Sequence, residues 1–244
     1  MAPSTIRLYV EQRLGRGQIV PLSRDQAHYL FNVMRLTEGA QITAFDGQSG
    51  VWSALLAGAA KRQPHLSVIQ QTDELRLPPD LWLLFAPIKK ARTDFIVEKA
   101  TELGVRRICP VQTQHTNSER IRRDRLQAHA IEAAEQCGGS FVPPVDDIAP
   151  LERVLDNWPS DRHLLFCDED LAGGQIVIPL NPGPWAILIG PEGGFSSYER
   201  DRLTDLTYAH PTSLGPRILR ADTATVAAIS LWQDRLGDWQ GPLA

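Results

Sequence analysis

The sequence predicts an α/β protein with a mostly parallel sheet, preceded by a small β-rich domain. Three observations carry this expectation. From Leu81 onward, apolar strand-like runs alternate with helix-like stretches, the pattern of a parallel sheet covered on both faces. The run Ala186–Ile189 is wholly apolar, as expected of a strand buried on both sides. It ends in Gly190-Pro-Glu-Gly-Gly194, and a glycine-rich turn between a strand and a helix is where open α/β sheets bind ligands.

Residues 1–72 are the predicted first domain. Arg7–Val10 and Gln18–Leu22 read as strands, and Ser23 caps a short helix over Asp25–Leu36. Gln41–Phe45 is a strand, Asp46-Gly47 a strong turn signal, Val51–Leu56 the return strand of a hairpin, and His65–Gln71 a further strand. Residues 73–80 are the predicted linker, because the adjacent Pro78 and Pro79 fit poorly in a helix interior or a central strand.

Residues 81–244 are the predicted second domain. Leu81–Ile88 is a strand, Thr93–Leu103 a helix stopped by Gly104, and Arg107–Val111 a short strand. Glu119–Gln136 reads as a long helix stopped by Gly138-Gly139, and His163–Cys167 as a strand running into Asp168-Glu-Asp170. After Ala186–Ile189, Ser196 and Glu199 have capping-box spacing for a helix over Ser197–Leu206. The segment Ser213–Leu219 follows, and a closing helix runs from Asp222 to about Leu236.

Composition excludes several classes. With 43% hydrophobic and 22% charged residues the chain is ordinary globular protein rather than a disordered segment. No apolar stretch approaches the roughly 18 residues of a membrane span. Cys109, Cys137 and Cys167 have no metal-ligand spacing and suggest a reducing compartment, so a cytoplasmic location is expected. The six histidines show no metal-ligand pairing either, and no metal site is expected. The net charge is −4, yet residues 1–72 carry seven Lys/Arg against four Asp/Glu, a basic front end on an acidic body. Arg7, Arg13, Arg16, Arg24 and Arg35 are spread through that front end, as solvated surface or as phosphate contacts.

The turn after Ile189 has neither the dinucleotide glycine pattern nor a phosphate loop, and it has no lysine. Glu192 would repel a pyrophosphate, so a sulfonium cofactor suits the turn better. In Leu214-Gly-Pro-Arg-Ile-Leu-Arg220 an apolar pair sits between two arginines, an arrangement able to hold a flat ring and an anionic substrate. Lys89-Lys90 follows a strand end and reads as a phosphate contact or as solubilising charge. Arg120, Arg122, Arg123 and Arg125 open a helix, where positive charge opposes the dipole, as in a segment facing RNA. Glu98 and Glu102 are a like-charged i,i+4 pair on an exposed face or at a contact.

In this order and this close to the C-terminus, the two stretches resemble the RsmE-type 16S ribosomal RNA uracil-N3 methyltransferases, members of the SPOUT (trefoil-knot) superfamily. The matching residues are Ile189–Ser196 through Glu199, and Leu214–Arg220 with Asp222-Thr-Ala224. Upstream, Glu98–Val105 after Lys89-Lys90, Glu132–Cys137 with Val142-Pro143, and Phe45-Asp-Gly47 match as well. The chain departs from the pattern at Asp222, commonly glutamate, and at Gly138-Gly139-Ser140, where the family often has arginine.

The resemblance implies a trefoil-knotted methyltransferase domain behind a PUA-like RNA-binding barrel, acting as a homodimer on 16S rRNA in the small subunit. It implies S-adenosylmethionine as cofactor, held by Gly190, Glu192, Gly193, Leu214, Gly215, Ile218 and Leu219. Arg7, Arg35, Lys89 and Lys90 are the expected RNA contacts. Methylation at uracil N3 needs that nitrogen's proton to leave, and the resulting anion spreads over two carbonyl oxygens. Arg217 and Arg220 are the expected donors to that anion, or clamps on phosphate. Glu192 and Asp222 are candidate proton acceptors.

Overall fold

A six-stranded, all-parallel sheet and a separate five-stranded sheet make up the computed structural model, which describes residues 6–58, 63–117 and 121–241. The chain divides into two units: Met1–Leu77 with Ala134–Val142, and Pro78–Ala133 with Pro143–Ala244.

The first unit contains β1 (Arg7–Tyr9), β2 (Ile19–Pro21), α1 (Arg24–His28), β3 (Gln41–Phe45), β4 (Val51–Ala57) and β5 (His65–Asp73). The strands lie in the order β1-β3-β4-β5-β2, antiparallel except for β1 beside β3. Alternation along β3 to β5 sends Ile42, Ala44, Ala54, Leu56, Leu66 and Val68 into one core. Asp46 is buried at the hairpin and accepts hydrogen bonds from the amides of Leu14, Gln48 and Ser49. Burial pushes its carboxyl up, but these bonds and the Ser49 hydroxyl outweigh burial and hold it below the usual range.

The expected helix over Asp25–Leu36 is shorter. Ser23 forms a full capping box with Gln26, but α1 ends at His28 and widens into a π-turn over Tyr29–Val33, closed by Met34 N donating to Tyr29 O (2.8 Å). Arg35 then has φ +53°, a left-handed conformation unusual outside glycine.

The second unit runs β6 (Leu81–Phe85), α2 (Lys90–Glu102), β7 (Arg107–Gln112), α3 (Arg123–Cys137, its last four residues grouped with the first unit), β8 (Ala149–Pro150), α4 (Leu151–Asp156), β9 (His163–Cys167), β10 (Trp185–Ile189), α5 (Ser197–Asp205), β11 (Ala209–Thr212) and α6 (Ala221–Arg235). The sheet order is β11-β9-β10-β6-β7-β8. All five residues of β10 are buried, as its apolar run requires. On one face Leu84, Leu164, Phe166, Ala186 and Leu188 pack with Leu151 and Leu155 of α4 and Leu203 of α5. On the other, α6 packs on β10 and α2 on α6.

Gly104 and Gly138 take positive φ just past α2 and α3, the C-terminal stops expected from sequence. Several boundaries differ, and β8 and α4 were not expected. Helix α2 starts one turn early, at Lys90, because the Thr93 hydroxyl is used inside the turn to bond both Ile88 N and Ile88 O (3.0 Å each). Helix α3 starts at Arg123; Glu119 and Arg120, placed in it from sequence, lie outside the described residues. Strand β11 was not expected, since Pro211 argues against a strand; it is tolerated because β11 is at the sheet edge.

Candidate functional site

The C-terminal ends of β6, β9, β10 and β11 lie along one edge of the parallel sheet, and the segments leaving them form a cavity of about 440 Å³. This is within the roughly 300–1,000 Å³ of small-molecule sites. Its wall includes the turn after β10 (Gly190, Pro191, Glu192, Gly194), the strap before α6 (Leu214, Gly215, Arg217–Arg220) and Ala221 and Ala224 of α6. Cys167, Asp168 and Glu169 after β9, with Lys89 and Arg92 of α2, complete it.

The turn is fixed from several sides. Gly194 N donates to Pro191 O (3.0 Å), and Gly194 has φ +68°. A β-carbon on Gly194 would collide with the Glu169 carboxylate, and one on Gly190 would stand 2.7 Å from the buried Phe195 ring. The expected capping box is present: Glu199 N donates to Ser196 Oγ (3.2 Å) and Ser196 N to Glu199 Oε2 (2.9 Å). The buried Glu199 also accepts from Gln114 N (2.8 Å), tying the turn to the segment after β7.

The strap has a different character. Gly215 has φ +112° with nothing within 4 Å of where a β-carbon would stand, so its backbone faces open cavity. Ser213 Oγ accepts from Gly215 N (3.1 Å), and Gly173 N donates to Gly215 O (3.0 Å). Ile218 is 74% exposed, and Arg217 and Arg220 are exposed. Among the described residues neither arginine has an ion-pair partner; Arg220 is the N-cap residue of α6 and makes no side-chain cap bond.

The cavity lining carries both signs of charge. After β9, Asp168 and Glu169 supply carboxylates paired with Arg200, whose Nε stands 3.0 Å from Asp168 and whose Nη2 meets Glu169. These carboxylates outweigh burial and raise the Arg200 pKa. The cationic side chains of the lining are Lys89, Arg92, Arg217 and Arg220. Arg92 Nη1 donates to Glu192 (2.8 Å), and its Nε stands 3.7 Å from Asp222. One guanidinium therefore bridges the two carboxylates that sequence offered as proton acceptors.

Among the expected cofactor residues, Gly190, Glu192, Leu214, Gly215, Ile218 and Leu219 line this cavity, as do Arg217, Arg220 and Lys89. Gly193 does not. The turn directs it outward, where its carbonyl meets His115 Nδ1 (3.0 Å), and Gly194 takes its place on the cavity wall. Lys90 lines neighbouring concavities. Arg7, expected at RNA, is turned inward within the first unit: it donates to Gly139 O (2.6 Å) and stacks 5.0 Å over Phe45, and burial lowers its pKa. Arg35 is exposed beside exposed Val33 and Met34. The Arg122–Arg125 cluster is not a bare cationic face, since Arg123 donates to Val145 O (2.7 Å), Arg125 pairs with Asp94 and Arg122 with Asp124. Glu102 pairs with Lys99, which offsets its like charge to Glu98, and Glu98 stands 2.9 Å from His129 Nδ1.

Sequence reasoning missed Arg92, Asp168 and Glu169 as cavity residues. The position of Asp168-Glu169 directly after a strand was the available signal; Arg92, two residues past Lys90, offered none.

The donor set fits S-adenosylmethionine. Ile189, Leu214, Leu219, Ala221 and Ala224 give an apolar surface for a flat ring, the glycine backbone admits close approach, and the lining carboxylates Asp168, Glu169 and Glu192 suit a cationic ligand.

Residues 75–233 match the family described as RNA methyltransferase domain, and residues 22–69 the RNA methyltransferase PUA domain. The chain is 31% identical over 219 residues to Ribosomal RNA small subunit methyltransferase E of Synechocystis sp., covering 86% of this chain and 71% of that one. It is 29% identical over 242 residues to the Bacillus subtilis protein of the same name, covering 92% and 94%. Among solved structures it is similar to the Neisseria gonorrhoeae protein of that name bound to S-adenosyl methionine, with TM-score 0.85, 31% identity and coverage of 96% and 99%. It is also similar to a putative methyltransferase from Legionella pneumophila in complex with the same cofactor, with TM-score 0.87, 28% identity and coverage of 97% and 100%.

Proposed function

Because the chain belongs to the Ribosomal RNA small subunit methyltransferase E family, we propose that it transfers a methyl group from S-adenosylmethionine to N3 of a uridine in 16S rRNA. It is an S-adenosylmethionine-dependent ribosomal RNA methyltransferase. The observation that carries the reading is the cavity at the C-terminal edge of the parallel sheet, walled by the Gly190–Gly194 turn and the 214–220 strap and lined by both carboxylates and guanidinium groups.

Bound S-adenosylmethionine supplies an electrophilic methyl group. Leu214, Ile218 and Leu219 hold its flat ring, and the backbone of Gly190, Gly194 and Gly215 lets it approach closely. Arg217 and Arg220, exposed on the cavity lining, donate to the carbonyl oxygens of the uracil anion and stabilise it as an oxyanion site does. Arg92 orients Glu192, the proton acceptor nearer to it, by a charge-assisted hydrogen bond. The pairing edge of uracil must be free for N3 to react, so the base is unpaired or extruded.

Lys89 and Lys90 in the second unit and Arg35 in the first are the proposed RNA contacts. The strained, exposed backbone of Arg35 supports its role. The first unit acts as the RNA-binding domain and the second as the catalytic domain; of the expected linker 73–80, Asp73 belongs to β5 and the unit boundary falls after Leu77. The trefoil knot is part of the proposal, supported by the segment after β9 bonding the strap, through Gly173 N to Gly215 O, and the end of β11, through Val177 N to Thr212 Oγ1. So is the homodimer, which would cover Ile218, Leu180 and Tyr198, 74%, 72% and 59% exposed. A cytoplasmic location follows from the proposed substrate; among the described residues no helix is long and apolar enough to cross a membrane.

The test is methyl transfer from labelled cofactor to undermodified small subunits, followed by nucleoside analysis. 3-Methyluridine is expected. A ribose-methylated product would overturn the N3 assignment, and absence of cofactor binding by calorimetry would overturn the enzymatic reading.

A further inference from the structure

A separate cleft of about 270 Å³ lies in the second unit between the first turn of α2 and the start of α3. Its floor is apolar, formed by Ile88, Ile121 and Leu126. Lys90 and Arg122 line it as well, both exposed. Among the described residues Arg122 pairs with the exposed Asp124 alone, a pairing of little net strength that leaves it free to exchange partners. Deeper in, Asp94 is 7% exposed and pairs with Arg125, presenting a fixed donor–acceptor edge.

The cleft adjoins the catalytic cavity through shared residues. A small concavity of about 250 Å³, lined by Lys89, Lys90, Asn117 and Glu192, shares Lys89 and Glu192 with the cavity and Lys90 with the cleft. Two consecutive lysines thus serve two consecutive depressions. The cleft is below the roughly 300–1,000 Å³ of whole small-molecule sites. An apolar surface with two cations beside it has room for one unstacked base against the aliphatic side chains and for its phosphate against Lys90 and Arg122.

Resting on the ribosomal RNA reading above, we propose that this cleft is a second nucleotide subsite, holding a neighbour of the target uridine. Its base lies on Ile88, Ile121 and Leu126, and its phosphate meets Lys90 and Arg122. The subsite holds the single strand open next to the reacting base.

The test is binding of undermodified 16S rRNA by the full chain across a salt series, with Arg122→Ala, Lys90→Ala and Ile121→Ala. Each cation variant is expected to lower the slope of log affinity against log salt by about 0.7, the loss of one single-strand phosphate contact. Ile121→Ala is expected to weaken binding about tenfold at every salt concentration with the slope unchanged. Arg122→Lys should keep the wild-type slope, and unchanged S-adenosylmethionine affinity in every variant shows intact folding of the site. Wild-type slopes in both cation variants would overturn the subsite while leaving the function intact. A wild-type protein that neither binds nor methylates the RNA would overturn the function itself.

Discussion

Gly194→Ala tests how the turn is built. The residue has φ +68°, so alanine there costs about 1 kcal/mol in backbone strain. Its β-carbon would also collide with the Glu169 carboxylate. That side chain can swing away, but it then loses the hydrogen bond it accepts from Phe195 N (3.2 Å). A hydrogen bond to a charged group contributes about 2 kcal/mol. The Arg200 pairing adds little, because Arg200 keeps Asp168 and Asp170 and the pair is partly exposed. The total is about 3 kcal/mol, which at about 2–4 °C per kcal/mol lowers Tm by roughly 6–12 °C. Cofactor affinity should fall at least tenfold, since Gly194 lines the cavity. The decisive assay is a double-mutant cycle with Glu169→Ala, read by thermal unfolding. With the carboxylate gone, Gly194→Ala should cost only the backbone strain, giving a coupling of about 2 kcal/mol. Strictly additive effects would refute the collision, and a wild-type Tm in the single variant would refute the turn geometry.

Three further outcomes are expected. Arg92→Ala should cut turnover about 100-fold while changing stability by about 1 kcal/mol or less, because its two ion pairs are partly exposed; turnover within twofold of wild type would remove Arg92 from the site. Alkylation of the native protein at pH 8 should modify the exposed Cys137 first, since burial pushes the Cys167 thiol up to about 12 and raises Cys109 as well; peptide mass spectrometry showing Cys167 modified first would contradict this. Burial, and then His163, holds the His210 pKa below 6.5, so the unfolded chain binds the proton more tightly. Stability should therefore fall as pH drops below about 6.5, and His210→Gln should flatten that decline in urea titrations at pH 7.5 and 5.5.

The legible parts of the chain were those set by local chemistry. The apolar run of β10, the capping box of Ser196 and Glu199, and the glycine stops at Gly104 and Gly138 all depend on residues within one turn or strand. The errors arose where a neighbour distant in sequence decides. Pro211 hides β11, which forms because β9 offers a parallel partner on the edge. Gly193 and Gly194 are indistinguishable as letters; Pro191 and Glu169 determine which one faces the cavity. Arg7 reads as a free cation until Gly139 and Phe45 engage it.

By itself, then, the sequence determined the α/β class, the RNA methyltransferase resemblance and the two segments that the fold brings together around one cavity. Only the tertiary structure decided what faces them. Arg92 meets Glu192 across 100 residues. Asp168 and Glu169 arrive from the end of a different strand. The physical reason lies in the parallel sheet: each crossover returns the chain to the same starting edge, so the C-terminal ends of β6, β9, β10 and β11 collect on the opposite one. That edge concentrates charges that no local pattern connects.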